Sequence, residues 1–278
     1  MDSKILPNYA DTIYQTHFIK KRNLPFLFRP GMVIGTEHMC IPNLHKNVEL
    51  LFFTEGRGQF TCGNDKYDVS PGDLTVANSY LVHNITSPDT VRYYCLIVNN
   101  DFCASCGAHV AELLFEPFVR TEEAQRLFTR VAQAFQQPEP LQELQIHTAV
   151  LELLLYLCRS HSTPKPENPQ LDNSLRSIWL ALDFMKQNLG KKLTVEQIAA
   201  SAGFSKFYFL RLFKRLTGYT VTQYLTLLRC DRARQLLQSG SCNVTEAAEV
   251  CGFDNASYFT KVFKSHTGRN PSELLKEK

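Results

Sequence analysis

The chain has 278 residues, 44% of them hydrophobic and 21% charged, with a formal net charge of +3. That length suits two domains better than one, and the composition suits a water-soluble protein with a sizeable core. No apolar run approaches the ~18 residues of a membrane-spanning helix, so no membrane partner is expected. The N-terminal Met1-Asp-Ser-Lys-Ile-Leu-Pro lacks the basic-then-apolar order of a secretory signal. The odd count of nine cysteines argues against a closed disulfide framework, and a cytoplasmic location with free thiols is expected.

Residues up to about Val98 read as short strands: Phe26–Phe28, Val48–Phe53, Gln59–Cys62, Leu74–Ala77 and Tyr93–Val98. Turn signals separate them, at Arg29-Pro-Gly31, Glu55-Gly-Arg-Gly58, Gly63-Asn-Asp65, Ser70-Pro-Gly-Asp73 and Ser87-Pro-Asp89. Many short strands at this spacing predict a sandwich or barrel over residues 1–100. From 101 to 160 the period becomes helical, with Leu127, Phe128, Val131, Ala134 and Phe135 in one stripe. A second stripe is Ile146, Ala149, Val150, Leu153, Leu154 and Leu157. It fits either the core of its own domain or a helical dimerisation seam, and the sequence leaves both open. Three prolines and no large apolar residue between Ser160 and Gln170 mark a linker over 161–171.

From 172 to 278 everything reads as helix. From Leu171 onward there are 16 Lys and Arg against 9 Asp and Glu, net +7, whereas the preceding residues carry net −4. This basic half also contains one pattern twice. The first copy runs from Ile198 through Gly203-Phe204 to Phe213-Lys214 and Thr217-Gly218. The second runs from Ala247 through Gly252-Phe253 to Phe263-Lys264 and Thr267-Gly268. The glycines are 49 positions apart and the Phe-Lys pairs 50.

Each copy predicts a helix-turn-helix unit. Thr194 with Gln197, and Asn243 with Glu246, have capping-box spacing, and Gly203 and Gly252 suit the turn. Ser205 and Asp254 are the expected N-caps of the helices that follow. In the first of these, Phe209, Leu212, Phe213 and Leu216 face inward, leaving Lys206, Phe207, Leu210, Arg211 and Lys214 outward. In the second, Phe259, Val262 and Phe263 face inward, leaving Ala256, Ser257, Thr260, Lys261 and Lys264 outward. Outward residues of such helices read base edges in the major groove, and Arg211 has the bidentate fork that suits guanine. A joining helix over Val221–Leu237 spans ~25 Å. With the widths of its neighbours it can hold two reading helices about one turn of DNA apart, ~34 Å.

The stretch Leu193-Thr-Val-Glu-Gln-Ile-Ala through Gly203-Phe-Ser, Arg211-Leu-Phe-Lys and Thr217-Gly218 resembles the AraC/XylS family of bacterial transcription regulators. So do Gly252-Phe253, Ser257-Tyr-Phe259, Phe263-Lys264, Gly268 and Pro271-Ser272. The resemblance covers about the last hundred residues. It implies two helix-turn-helix units in adjacent major grooves of double-stranded DNA, the first dominating specificity, with Phe207, Leu210 and Arg211, then Ser257, Thr260 and Lys261 as base readers. It departs from the family at Leu210, where a polar residue is common, and at Phe209, where leucine is usual.

The first half is similar to the cupin-like ligand-binding domain common in that family, through His45, Glu49-Leu50, Gly56, Gly58, Pro71-Gly72-Asp73 and His83. The whole is expected to be multidomain. A β-barrel or jelly roll (cupin-like) with flanking helices precedes an all-α tandem helix-turn-helix domain. The resemblance implies a small-molecule effector, often a sugar, inside the barrel, and a homodimer made through the flanking helices. It also admits RNA polymerase as a further partner.

His45, Glu49, His83 and Tyr93 are the expected effector-pocket residues. Neither a metal nor a cofactor is expected. On one straight strand His45 and Glu49 lie ~13 Å apart, so a turn between them would be needed for both to reach one ion. Position 43, where a metal-binding cupin has a second histidine, is Asn43. Cys103 and Cys106 have redox-motif spacing but are expected to be unrelated thiols. A regulator rather than an enzyme is therefore expected, the alternative being a metal-dependent cupin enzyme with a fused DNA-binding tail.

Overall fold

The computed structural model describes residues 24–35, 42–136, 140–166 and 169–275. The chain forms two compact units. The first holds residues 24–35 and Asn43–Pro169, and the second holds Pro42 and Gln170 onward.

The first unit is a two-sheet antiparallel sandwich with helices on its back. Its elements are β1 (Phe26–Ile34), β2 (Val48–Glu55), β3 (Gly58–Cys62), β4 (Asp65–Val69), β5 (Leu74–Ala77), β6 (His83–Thr86) and β7 (Val91–Val98). There follow α1 (Asn100–Ser105), β8 (Leu113–Phe115), β9 (Phe118–Val119), α2 (Glu122–Gln136), α3 (Gln142–Ser160) and β10 (Ser162–Pro164). The large sheet has the order β1-β7-β2-β5-β9 and the small one β4-β3-β6, while β10 pairs with β8.

β2 shows why its sequence is apolar without a break. Strand side chains alternate between faces, and this strand is buried on both. Leu50 and Phe52 belong to the core shared with α2 and α3, whereas Leu51 and Phe53 belong to the core shared with the small sheet. On the helical side Phe52 stacks on Phe128 with ring centroids 4.8 Å apart, and Phe28 stacks on Phe135 at 4.6 Å. The α3 stripe Ile146, Ala149, Val150, Leu153, Leu154 and Leu157 lies in this same core. Of its two readings, intradomain core is therefore the one that holds. Burying each leucine there contributes ~1.5–3 kcal/mol.

Arg29-Pro-Gly31 is not a turn. β1 continues through it by a bulge, its register against β7 shifting between Arg29 and Met32 with Gly31 at φ 67°. The expected linker is structured at both ends: Ser162–Pro164 pairs with Leu113–Phe115, and α4 begins at Pro169. Proline is favoured in the first turn of a helix, where its missing N–H costs nothing, so Pro169 starts the helix inside the expected linker.

The second unit is all helix: α4 (Pro169–Gln187), α5 (Val195–Ser201), α6 (Lys206–Thr217), α7 (Val221–Gln238), α8 (Val244–Val250) and α9 (Ala256–Thr267), then a short 3-10 turn (Pro271–Leu275). Both expected capping boxes form, Thr194 with Gln197 and Asn243 with Glu246, and Thr220 with Gln223 makes a third at the start of α7. Gly203 and Gly252 hold positive φ, at 73° and 81°. Gly252 is also crowded, because a Cβ there would stand 2.5 Å from the Leu189 carbonyl oxygen and 2.8 Å from the Arg229 guanidinium. That guanidinium donates to the Leu189 and Lys191 carbonyls at 3.1 and 2.8 Å, tying α7 to the end of α4.

Candidate functional site

α6 and α9 are two copies of one object. Each has twelve residues and ends on a glycine in the left-handed conformation, Gly218 and Gly268, both at φ 77°. In each the last helical threonine donates to a carbonyl four residues back, Thr217 to Phe213 and Thr267 to Phe263, both at 2.8 Å. Phe209, Leu212 and Phe213 are buried in α6, as are Phe259 and Phe263 in α9; Leu216 and Val262 are only half-buried.

The N-cap of α9 is Asn255, not Asp254. Its side chain accepts from the Tyr258 N–H at 2.9 Å. The helices repeat at 50 residues and the preceding glycines at 49, so the second turn is one residue longer and its cap moves with it. Ser205 does occupy the N-cap of α6, without a side-chain hydrogen bond to the helix.

The outward faces are as the periodicity requires. Lys206, Phe207, Arg211 and Lys214 are exposed and Leu210 half-buried; Ser257, Lys261 and Lys264 are exposed and Thr260 half-buried. Phe207 is 77% exposed, a large apolar side chain that no core in its own unit claims. Lys206 pairs with Glu196 at 2.6 Å, but both are open to solvent, where such a pair is weak and yields readily to another anion. Arg211 and Lys261 occupy matching positions six residues into each helix. Tyr208 and Tyr258, also half exposed at matching positions, belong to the same faces and escaped the sequence pattern because they flank the inward stripe.

In the first unit the structure brings His45, Glu49 and His83 together. His45 Nε2 lies 2.7 Å and His83 Nε2 3.1 Å from Glu49 Oε2. The ~13 Å separation of a straight strand does not apply, because β2 begins only at Val48 and the chain bends at Lys46-Asn47. Asn100 holds that bend: its side chain donates to the Lys46 carbonyl at 2.7 Å and accepts from the Val48 N–H at 3.2 Å. A two-way backbone bridge between Asn43 and His83, 2.8 and 3.0 Å, then fixes the His45 segment beside β6.

Both imidazoles are buried. Each points Nδ1 at a backbone carbonyl, His45 at Asn47 (2.8 Å) and His83 at Leu81 (3.0 Å). The Cys95 thiol donates to the other Glu49 oxygen at 2.9 Å. Burial opposes the charge on Glu49, but hydrogen bonds from His45 and His83 outweigh it and hold the carboxyl well below its ordinary range. Burial, then the neighbouring Glu49 charge, pushes the Cys95 thiol well up, so it stays protonated and donates.

Tyr93 is not part of this knot. It sits on the same inner face of β7 as Cys95 but packs against Phe53, ring centroids 5.8 Å apart, inside the sandwich core. Cys95 and Asn100 were missed by sequence reasoning. Cys95 reaches Glu49 diagonally across the β2–β7 ladder, in which Glu49 pairs with Ile97 and Cys95 with Leu51. Cys103 is buried and Cys106 exposed, and both are free thiols. Burial raises the Cys103 thiol to about 12, out of the reactive range.

A sandwich with a buried polar knot, followed by tandem helix-turn-helix units with exposed basic faces, defines a protein that joins a ligand-binding domain to a DNA-binding one. Residues 31–154 match the AraC-like ligand binding domain family, and residues 198–277 match a Helix-turn-helix domain family. The chain belongs to the AraC family of transcription regulators.

Among its relatives, the lactose operon transcription activator of Staphylococcus xylosus is 24% identical over 260 residues, covering 87% of this chain and 89% of that one. The Msm operon regulatory protein of Streptococcus mutans is 23% identical over 252 residues, covering 85% and 86%. The MmsAB operon regulatory protein of Pseudomonas aeruginosa is 34% identical over 89 residues, only 32% of this chain and 29% of that one. In fold the chain is similar to the crystal structure of ToxT from Vibrio cholerae O395, with a TM-score of 0.53 and 13% identity over 91% of this chain and 99% of that one. Among the described residues no helix is long and apolar enough to cross a membrane.

Proposed function

We propose that this transcription regulator reads two successive major grooves with one chain, through α6 and α9, under the control of a small molecule held in the first unit. The observation that carries the reading is the equivalence of α6 and α9: equal length, the same cap at the end, the same inward phenylalanines and an outward cation at the same place. Their joining helix α7 has 18 residues, about 27 Å at 1.5 Å per residue, which suits readers about one turn of duplex apart.

The effector class we infer is a sugar or related metabolite, held through His45, Glu49 and His83, with Tyr93 left to the core behind them. The polar inner side chains support it, as does the lactose operon in the name of one relative. Residues 101–160 serve as the dimerisation segment and 172–278 as the DNA-binding part. With the α3 stripe used in the core, the face left for a second copy carries the exposed Leu144 and Leu155. A homodimer so formed offers four reading helices, and the effector changes how they are placed. The regulator works in the cytoplasm beside RNA polymerase. Footprinting on the DNA flanking its gene, with and without a panel of sugars, tests the reading. Two protected segments per chain whose pattern changes with one sugar support it, and protection indifferent to every sugar removes the effector class.

A further inference from the structure

The Pro71-Gly72-Asp73 turn builds a second polar arrangement, away from the knot. β5 and β9 pair antiparallel with Leu74 opposite Val119, and the same register brings Asp73, just before β5, to Arg120, just after β9. The Arg120 guanidinium donates through Nε and Nη2 to the two Asp73 oxygens at 2.6 and 2.7 Å, and it lies over the Phe118 ring, 5.0 Å from the centroid. Asp73 is buried and also accepts from the Ser70 N–H and hydroxyl at 2.8 and 3.0 Å. A carboxylate on its edge and a ring on its face thus fix a guanidinium whose side chain is still 61% exposed. Its Nη1 has no partner among the described residues.

Arg57 and Arg120 line one open groove of about 740 Å³, together with Ser70, Thr86 and Ser87. The Arg57 backbone is held in place. Gly56 before it has φ 76°, and a Cβ there would collide with the Thr90 carbonyl; the Ser87 hydroxyl donates to the Arg57 carbonyl at 2.7 Å. The Arg57 guanidinium, by contrast, is exposed and makes no hydrogen bond or ion pair among the described residues. This groove is separate from the knot. β6 runs from His83, paired with Cys62, to Thr86, paired with Gln59, so three residues of strand, ~10 Å, lie between them.

Charge and donors favour an oxyanion. The groove sets two guanidiniums against one carboxylate, Asp68, which accepts from the Gln59 amide at 3.2 Å. Asp73 answers the charge of Arg120, so Arg57 supplies the free positive charge and Arg120 supplies aimed N–H donors. Guanidinium forks match phosphate oxygens, and a donor fixed beforehand loses little freedom on binding. A phosphoryl group offers three acceptor oxygens, enough for both arginines and a hydroxyl. It fills only part of the groove, whose volume falls in the range of small-molecule sites, ~300–1,000 Å³, and the remainder takes an organic portion.

We propose that the groove lined by Arg57 and Arg120 binds a small phosphorylated metabolite, its phosphoryl oxygens taken by the Arg57 guanidinium and by Nη1 of Arg120. The site does not rest on the sugar reading of the knot.

The test is calorimetric titration of the full chain with glucose 6-phosphate and with inorganic phosphate, at constant ionic strength. One glucose 6-phosphate per chain is expected, bound more tightly than inorganic phosphate because the sugar occupies the rest of the groove. Arg57→Gln should weaken it about tenfold or more with thermal unfolding unchanged, since that guanidinium holds nothing else. Arg120→Lys keeps a charge against Asp73 but loses the aimed donors, and should weaken it by a similar factor. Saturating glucose should leave the titration unchanged, because an uncharged sugar does not address the groove. No uptake of glucose 6-phosphate, uptake that Arg57→Gln does not weaken, or competition by glucose overturns the site. Uptake of inorganic phosphate without the ester overturns the metabolite and leaves an ion site. If Arg120→Lys fails to fold, Arg57→Gln still decides.

Discussion

Phe207 and Ser257 hold the same place, the second residue of two twelve-residue helices, yet one presents an aromatic ring that is 77% exposed and the other a small hydroxyl. The two outward faces are therefore built alike and differ in chemistry. The first combines Phe207 and Leu210 with Arg211, and the second combines Ser257 and Thr260 with Lys261. An apolar group beside a guanidinium selects a thymine methyl next to a guanine, whereas a lysine point charge is less particular.

Arg211→Ala is expected to cost ~1–3 kcal/mol and to relax preference at one base position, while Lys261→Ala weakens binding more evenly across sequences. Binding measured on a set of single-base operator variants separates the two. An equal loss on every sequence for Arg211→Ala assigns that residue to phosphate.

DNA affinity should fall steeply with salt, because Lys206, Lys214, Lys261 and Lys264 are exposed and contacts to phosphate release counterions. The slope of log affinity against log salt checks this, and each lysine removed from a phosphate should lower the slope by about one. A flat dependence speaks against groove binding.

The two turn glycines should respond differently. Gly252→Ala has to hold φ 81° while its Cβ meets a backbone oxygen and the Arg229 fork, whereas Gly203→Ala has a similar φ and open space. Strain in the left-handed region alone costs ~1–2 kcal/mol, so Gly203→Ala should lose about that and Gly252→Ala clearly more. Thermal unfolding of both variants measures it, and equal losses place the whole effect in φ.

Asp73 carries a pH dependence. Burial opposes its charge, but the Arg120 guanidinium, bonded at 2.6 and 2.7 Å, holds the carboxyl below its ordinary value. A depressed folded-state value means that the ionised form stabilises the fold above the unfolded aspartate range, ~3.9, and that this contribution is lost as pH falls through the lower, folded value. Arg120→Ala should shrink the acid-side loss of stability, measured by urea unfolding between about pH 2 and 5. An unchanged profile leaves the pair without a part in folding.

The tandem helix-turn-helix units were legible because their signals are local: a cap and its partner three residues on, a glycine at a turn, and apolar residues at helical spacing. The one-residue slip from Asp254 to Asn255 was written in the 49- and 50-residue repeats but shows only when caps are compared rather than glycines. β4 was harder, since Asp65, Lys66 and Asp68 lie on an exposed strand with no apolar run to announce it. The histidine knot was not legible as a knot. Distance along a straight strand misjudged His45 and Glu49, because the bend between them is held by Asn100, and Cys95 arrives by a register that sequence spacing does not reveal. The α3 stripe had two readings, and only burial against Phe52 and its neighbours decided between them.

Charge placed on the outer face of α3 tests the dimer. Leu144→Glu with Leu155→Glu should convert a dimer to monomer in sedimentation without loss of fold, since both side chains are exposed in the isolated chain. A dimer that survives lies on another face.

The central claim is that one chain reads two grooves. Hydroxyl-radical footprinting of the full chain on the DNA flanking its gene measures that directly. The account predicts two protected segments per chain about one helical turn apart, ~10–10.5 base pairs, the first lost in Arg211→Ala with the second still visible at higher protein concentration. A single protected segment per chain, or two that vanish together with Lys261→Ala alone, would contradict it.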